Sequence, residues 1–381
     1  MRAVANDILI VGAGAYGLAT AWWLAERDSG AAIRVVDGGA FASGGTGRNV
    51  AGFRMQWGLE FNVRLSQESI AFFEEAGERL DYPAGIDLKQ GGYLLLAHTE
   101  ADLGRLREAN AVHKDLGVPS ELLSAADCRR IAPIVAPEGL LGGSFCAKDG
   151  TASPFLWLDA LLTACRRRGV DIDYGTTVRR IVLTSGGFEV ETDAGAISAA
   201  KILICTDWQT PELLAPLGVE LPITGLAKEA MATEPWADVL GPLLVALKRD
   251  TVIAQVKRGS FLVYAPMPDR AGQDFDSTPP YLGHAASAFV DLLPSLSHLK
   301  ALRCWTGVVS QTPDMQAVLG ETQVPGLFVA VSAYKGFMTS PAVGRLMAEL
   351  LLDGHSNHPA AAPLRPGRFA TGDLVPEPLT V

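Results

Sequence analysis

Apolar and polar positions along this chain fall into blocks whose period changes from that of a strand to that of a helix and back. After Asp7 comes Ile8-Leu9-Ile10-Val11, an unbroken apolar run that suits a strand buried on both faces. Gly12 stops the run, and from residue 16 to about 27 apolar residues recur at helical spacing. Ile33-Arg34-Val35-Val36 predicts a second strand ending on Asp37. Farther on, residues 92–96 read as a strand, 100–116 as a polar helix, 154–168 as an amphipathic helix, and 170–172 and 201–205 as strands. Alternation with a period of two in 230–233, 252–256 and 260–264 suits an antiparallel sheet with one face on a core. Residues 270–280 read as loop. A buried strand is predicted over 326–331, then a turn at Gly336, a cap at Ser340, Pro341 at the first helical position, and helix from 343 to 352. The proline-rich tail from His358 is expected to run extended over the surface.

The first strand runs directly into Gly-Ala-Gly-Ala-Tyr-Gly, with glycines at 12, 14 and 17. Each glycine has its own duty in a dinucleotide fingerprint. Gly12 allows a sharp turn, Gly14 lets backbone approach a pyrophosphate, and Gly17 lets the helix pack tightly on the sheet. The N–H groups of Ala15 and Tyr16 then open a helix whose positive dipole end faces the phosphates. Asp37 lies 20 residues past Gly17, where an acid accepts hydrogen bonds from a ribose. Asp37 suits NAD and FAD equally, and the next segment separates them. Residues 43–54, Ser-Gly-Gly-Thr-Gly-Arg-Asn-Val-Ala-Gly-Phe-Arg, form a long glycine-rich loop where simple nicotinamide enzymes continue into further βα units. Such a loop suits a cofactor that extends beyond its pyrophosphate into an isoalloxazine ring, so FAD is the expected dinucleotide.

Composition narrows the picture further. The chain has 381 residues, 48% hydrophobic and 19% charged, with a net charge of −10. No Lys/Arg run could form a phosphate-neutralising stripe, so nucleic acid is not an expected partner. No stretch approaches the ~20 apolar residues of a membrane helix. A cytoplasmic protein is expected. Cys128, Cys146, Cys165, Cys205 and Cys304 are scattered and contain no C-x-x-C pair, and the six histidines show no ligand spacing, so no metal site is expected.

The chain resembles the D-amino-acid oxidase and glycine oxidase superfamily of flavoproteins, and within it the sarcosine oxidase β-subunit-like group. That group includes β subunits of opine, proline and hydroxyproline dehydrogenases. The resemblance rests on GAGAYG, on the Ser43 to Arg54 loop, and on Asp149-Gly150-Thr151-Ala152-Ser153-Pro154. It rests also on Arg303-Cys304-Trp305-Thr306-Gly307 with Thr312-Pro313-Asp314, and on Gly336-Phe337-Met338 with Pro341-Ala342-Val343-Gly344. It implies an α/β fold: a Rossmann-like FAD-binding domain interleaved with an α+β substrate domain whose antiparallel sheet roofs the flavin. Segments 1–80, 148–218 and 301–365 fall to the FAD-binding domain, 81–147 and 219–300 to the substrate domain, and 366–381 to a C-terminal tail.

The activity implied is oxidation of a C–N bond next to a carboxylate, by hydride transfer to flavin N5, giving an imine. An opine, a proline derivative or sarcosine would be the substrate. A D-amino acid or glycine is the alternative, and a flavin-carrying relay subunit without its own substrate site is a reading of another class. Partner α and γ subunits of a hetero-oligomeric dehydrogenase fit the resemblance, and any iron–sulfur relay would lie on such a chain.

The expected cofactor contacts are Gly12, Gly14, Ala15, Tyr16, Gly17, Asp37 and Gly38, then Ser43, Gly44, Arg48, Asn49, Val50, Ala51 and Gly52. The resemblance extends them to Val178, Thr206, Trp208 and Gly307, and to Lys335, Gly336, Phe337, Met338 and Thr339. Arg54 falls where relatives carry a carboxylate-binding arginine, and a planar guanidinium suits that task. Arg54 or Arg48 packing on the flavin, or pairing with a surface carboxylate, is the alternative. Tyr264 and Trp305 are candidates for the pocket wall, or else core. The family's Gly-His-Gly-Phe reads Tyr334-Lys335-Gly336-Phe337 here, and Met338 stands where monomeric sarcosine oxidases have lysine. Lys335 either supplies that cation or touches the flavin, or it faces solvent. Cys304 lies too far before Asp314 for a flavin tether, and no histidine falls near Asp149, so the FAD is expected to be non-covalent.

Overall fold

The computed structural model describes residues 6–379 apart from Ser29, Asp269 and residues 272–274. Its first sheet is built on β1 (Asn6–Val11), followed by helix α1 (Ala15–Arg27) and β2 (Ile33–Asp37). Among the described residues this sheet has eight strands. Its main path runs Val318–Glu321, Leu327–Val331, Gly195–Ile204, β1, β2, Asp171–Tyr174. All neighbours on that path are parallel except the first pair. Parallel strands are buried on both faces, which accounts for the apolar runs: Leu9, Ile10, Val35, Val36, Leu203 and Val329 are fully enclosed. A hairpin of Val178–Thr184 and Gly187–Thr192 extends the strand Gly195–Ile204.

Helix α1, the helix Pro154–Arg167 and the helix Gly336–Asp353 cover one face of this sheet, joined by Glu60–Arg79. The layer is closed by edge-to-face aromatic contacts, with Trp22 on Phe72 and Trp157 on both Phe72 and Phe73, while Phe337 stacks on Phe73. Trp157 Nε1 donates to Ser340 Oγ at 3.0 Å, so that buried indole nitrogen is paired.

The second sheet has nine strands among the described residues. In order they are Arg270–Ala271, Thr224–Thr233, Phe261–Tyr264, Thr251–Gln255, Leu243–Ala246, Tyr93–Ala97, Gly142–Cys146 and Ser120–Ser124, with Ala301–Gln311 paired to Thr224–Thr233. Only the pair Leu243–Ala246 and Tyr93–Ala97 is parallel. One face packs on Pro279–Leu292 through Phe261, Phe289 and Tyr281; the other faces the first sheet's nucleotide turn.

Three expectations are corrected. Residues 279–292 form a helix that pattern reading missed, because Pro279-Pro280 look like breakers but occupy a first turn, where no intrahelical N–H is needed. The last helix begins at Gly336, capped by Lys335, so Ser340 is not its cap and Pro341 lies inside it, with Ser340 Oγ donating instead to Phe337 O at 2.8 Å. The tail does not run over the surface: Ala360, Leu364 and Arg368 have no exposure and Leu379 only 1%. Arg368 anchors it through a two-pronged pair with Asp314, Nε to Oδ2 at 2.8 Å and Nη2 to Oδ1 at 3.0 Å, both side chains fully enclosed.

Candidate active site

The site is a cavity of about 1070 Å³ between the two sheets. At one end the local chemistry is that of the glycine turn. Gly12 has φ +111°, and a Cβ there would lie 2.5 Å from the Cys205 carbonyl oxygen, so only glycine turns the chain off β1. A Cβ on Gly17 would overlap the Gly12 carbonyl, which seats α1 hard against the strand. Gly17 therefore shapes the turn from behind and does not line the cavity.

Helix α1 starts behind Gly14 with no acidic residue in its first turn, leaving its positive end facing the cavity. Asp37 closes this end from β2: Oδ2 accepts from Ala13 N and Oδ1 from Gly39 N, each at 2.8 Å. A Cβ on Gly14 would approach nothing nearer than Thr46 Oγ1 at 3.4 Å, and one on Gly44 would meet nothing within 4 Å. This open backbone cradle, beside a helix N-terminus and a strand-end carboxylate, fits the pyrophosphate and ribose of FAD.

The glycine-rich loop is held rigidly along the cavity. Arg48 donates from Nε to Ser43 O at 2.9 Å and from Nη1 to Thr306 O at 2.8 Å, and its guanidinium lies 4.3 Å over Phe275. Trp305 Nε1 donates back to Arg48 O at 2.8 Å. Trp305 is thereby a clamp on the loop and does not line the cavity. Asn49 Oδ1 accepts from Ala51 N at 2.5 Å; Ala51 itself, at φ +64°, is buried behind the wall. Gly38, Ser43, Gly44, Asn49, Val50, Gly52, Val178, Thr206, Trp208 and Gly307 all line the cavity.

The other end is roofed by the second sheet. Val245, Val252 and Tyr264 are successive partners across three strands and all face the cavity, together with Ala230 and Tyr93. Arg54 lies in this wall, 4% exposed, with its guanidinium 4.0 Å over the Trp57 ring. Its Nη2 donates to Leu379 O at 3.0 Å, while Nη1 is buried with no partner among the described residues. Burial lowers its pKa, opposed by Tyr93, Glu377 and Asp149. Arg54 thus pairs with no surface carboxylate among the described residues.

Lys335 does not face solvent, which corrects that reading of it. It is 4% exposed, does not line the cavity, and donates from Nζ to Met315 O at 2.6 Å, with Nζ 5.2 Å from the centre of the Trp57 ring. Burial lowers its pKa to about 8. The cavity is met instead by Gly336, Phe337 and Met338, the first turn of the last helix. Thr339 sits behind them, its Oγ1 2.8 Å from Tyr16 Oη and donating to Lys335 O at 2.7 Å.

Some lining residues escaped the sequence reading. Thr46 Oγ1 accepts from Ala15 N at 3.1 Å, tying the loop to α1. Asp207, at φ +52°, receives Ser310 Oγ and Ser332 Oγ on Oδ1, both at 2.8 Å, and so joins both sheets at the cavity. An acid directly after a buried strand was its one visible signal. Nearby, burial pushes the Asp149 carboxyl up to about 7, although Met55 N donates to Oδ1 at 2.8 Å and Gln56 Nε2 to Oδ2 at 3.0 Å. Among the described residues no group of three or more His, Cys, Asp or Glu could hold a metal ion, and no helix is long and apolar enough to cross a membrane.

Fold and site together define a dinucleotide-binding oxidoreductase. The family described as FAD dependent oxidoreductase matches residues 7–350, and the chain belongs to it. It is an FAD-dependent enzyme. Sarcosine oxidase subunit beta of Rhodobacter capsulatus is 26% identical over 97% of this chain and 90% of the relative. D-amino acid dehydrogenase of Methylobacterium nodulans is 27% identical over 76% of this chain and 69% of the relative. Among solved structures, L-proline dehydrogenase from P. horikoshii is similar with a TM-score of 0.91 and 25% identity, covering 98% of this chain and all of that one.

Proposed function

We propose that this enzyme oxidises the C–N bond of a secondary amine that carries a carboxylate, such as an opine, a proline derivative or sarcosine, to an imine. The observation that carries this reading is Arg54, a buried guanidinium in the cavity wall with Nη1 unpartnered among the described residues. A carboxylate would complete it with a charge-assisted hydrogen bond. Bound FAD, held non-covalently by the glycine turn, Asp37 and the loop from Ser43, would supply the two-electron acceptor for the hydride leaving the substrate carbon. The protein's own part is positioning. The Trp57 ring stacks on the guanidinium, and Tyr93, Val245, Val252 and Tyr264 give the cavity a largely apolar wall that would keep water from a bound substrate. Such a wall disfavours charge and so favours the neutral amine that can release hydride.

Sarcosine and proline, named in two of the relatives, are both secondary amines carrying a carboxylate, which supports this substrate class. The D-amino acid dehydrogenase relative supports the second reading, a primary D-amino acid or glycine. The relative named as a subunit beta supports a place for this chain in a hetero-oligomer with α and γ subunits. Anaerobic mixing of the flavin-loaded protein with an opine, sarcosine, L-proline and D-alanine tests these readings. Bleaching by the secondary amines supports the first and bleaching by D-alanine alone the second, while a chain that only relays electrons bleaches with none.

A further inference from the structure

We propose that the segment 374–379 is a positioning strap for the carboxylate grip, with Leu379 and Glu377 holding Arg54 and its Trp57 platform in the orientation that receives a substrate carboxylate. This rests on the reading of Arg54 as the carboxylate-binding group. The strap reaches the site from a region far away in sequence, and its Glu377 and Leu379 are buried. The Leu379 carbonyl accepts from Arg54 Nη2 at 3.0 Å, and the Leu379 side chain is 1% exposed. That bond occupies Nη2, while Nη1 is buried without a partner among the described residues.

Glu377, 6% exposed, braces the platform. Its Oε1 accepts from Gly58 N at 2.6 Å and from Leu379 N at 3.1 Å, and its Oε2 from Asn62 Nδ2 at 2.7 Å. Gly58 directly follows Trp57, so one carboxylate ties the backbone beneath the stacked ring to the strap residue that holds the guanidinium. Asn62 also donates to Gln316 Oε1 at 3.0 Å, and Gln316 Nε2 donates to Val375 O at 3.0 Å, which closes the brace on its other side. Glu377 is also the negative charge the strap brings to two buried cations, favouring the protonated forms of Arg54 and Lys335. The fit is close: a Cβ on Gly58 would overlap Pro378 Cγ.

The test uses the FAD-loaded protein and propanoate as a carboxylate probe, with binding measured by calorimetry and by perturbation of the flavin spectrum. Glu377→Gln, Gly58→Ala and a chain stopped after Asp373 are compared with Arg54→Ala. The expected result is a rise of at least tenfold in the propanoate Kd for the strap variants, with FAD content unchanged in Glu377→Gln and Gly58→Ala. These two carry the test if the shortened chain fails to fold. Strap variants that bind propanoate as the native protein does, while Arg54→Ala loses it, overturn the strap and leave the Arg54 reading standing. An Arg54→Ala protein that binds as the native one does, or a native protein that takes up no propanoate, overturns the Arg54 reading and the strap with it.

Discussion

The guanidinium of Arg54 lies 4.0 Å over the Trp57 ring, and Trp57 Nε1 in turn donates to the Arg54 carbonyl at 3.1 Å and to Ser66 Oγ at 2.9 Å. The pair fixes itself: the arginine's own backbone helps to orient the ring on which its side chain rests. A lysine would keep the charge but lose the flat stack on Trp57. Hydrogen bonds to charged groups are worth about 1.5–3 kcal/mol each. Losing the one that Nη1 would make to a substrate carboxylate in Arg54→Lys lowers kcat/KM for the carboxylate-bearing amine by roughly 10–10²-fold. Steady-state kinetics across the amine panel check this, and a variant within threefold of native would remove Arg54 from the grip.

Asp37 is committed on both oxygens to backbone N–H groups of the glycine turn and of Gly39. Replacing it with alanine removes an acceptor for the ribose and unpins the turn together. The expected outcome for Asp37→Ala is at least a tenfold weaker hold on FAD, read as flavin fluorescence released on dilution. Full retention of flavin would show that the adenosine end is held elsewhere.

Asp149 gives a pH signature. Burial raises its carboxyl to about 7 in the folded protein, against about 3.9 in an unfolded chain. Between those values the folded state keeps a proton that the unfolded state has lost. Its contribution is therefore fully present below pH ~4 and is lost as pH rises toward 7. Asn at this position stays neutral and still accepts from Met55 N through Oδ1. The urea midpoint of native protein should fall across that window by more than that of Asp149→Asn; parallel curves would refute the assignment.

Arg368 and Asp314 form an ion pair with no solvent exposure. Removing one partner of such a pair costs about 3–5 kcal/mol, because the other is left charged and buried. Arg368→Met should lose that much in urea denaturation, and Arg368→Met with Asp314→Asn should regain most of it. A loss within about 0.5 kcal/mol, the range of a surface substitution, would show that the tail is not anchored there.

The β1–α1–β2 unit was legible because everything that makes it is local: a buried apolar run, glycines where backbone must pass close, and an acid at the next strand end. The roof was legible as alternation in residues 230–233, 252–256 and 260–264, although not as one continuous face. The helix Pro279–Leu292 was hidden by prolines that mark a helix start as readily as a break. Lys335 was misplaced for a different reason. Its neighbours Tyr334 and Gly336 do line the cavity, and only the turn at Ala333 and Tyr334, with φ of +42° and +72°, sends the lysine the other way. That turn has no glycine to announce it.

By itself the sequence determined the FAD end of this protein, since a pyrophosphate cradle needs only neighbouring residues in a strand, a turn and a helix. The substrate end depended on tertiary structure. Arg54 meets Leu379 across 325 positions, Trp57 is braced from Glu377, and Asp207 joins Ser310 to Ser332. Such contacts follow from how the two sheets close on one another, and burial then decides which nitrogen of a guanidinium is paired.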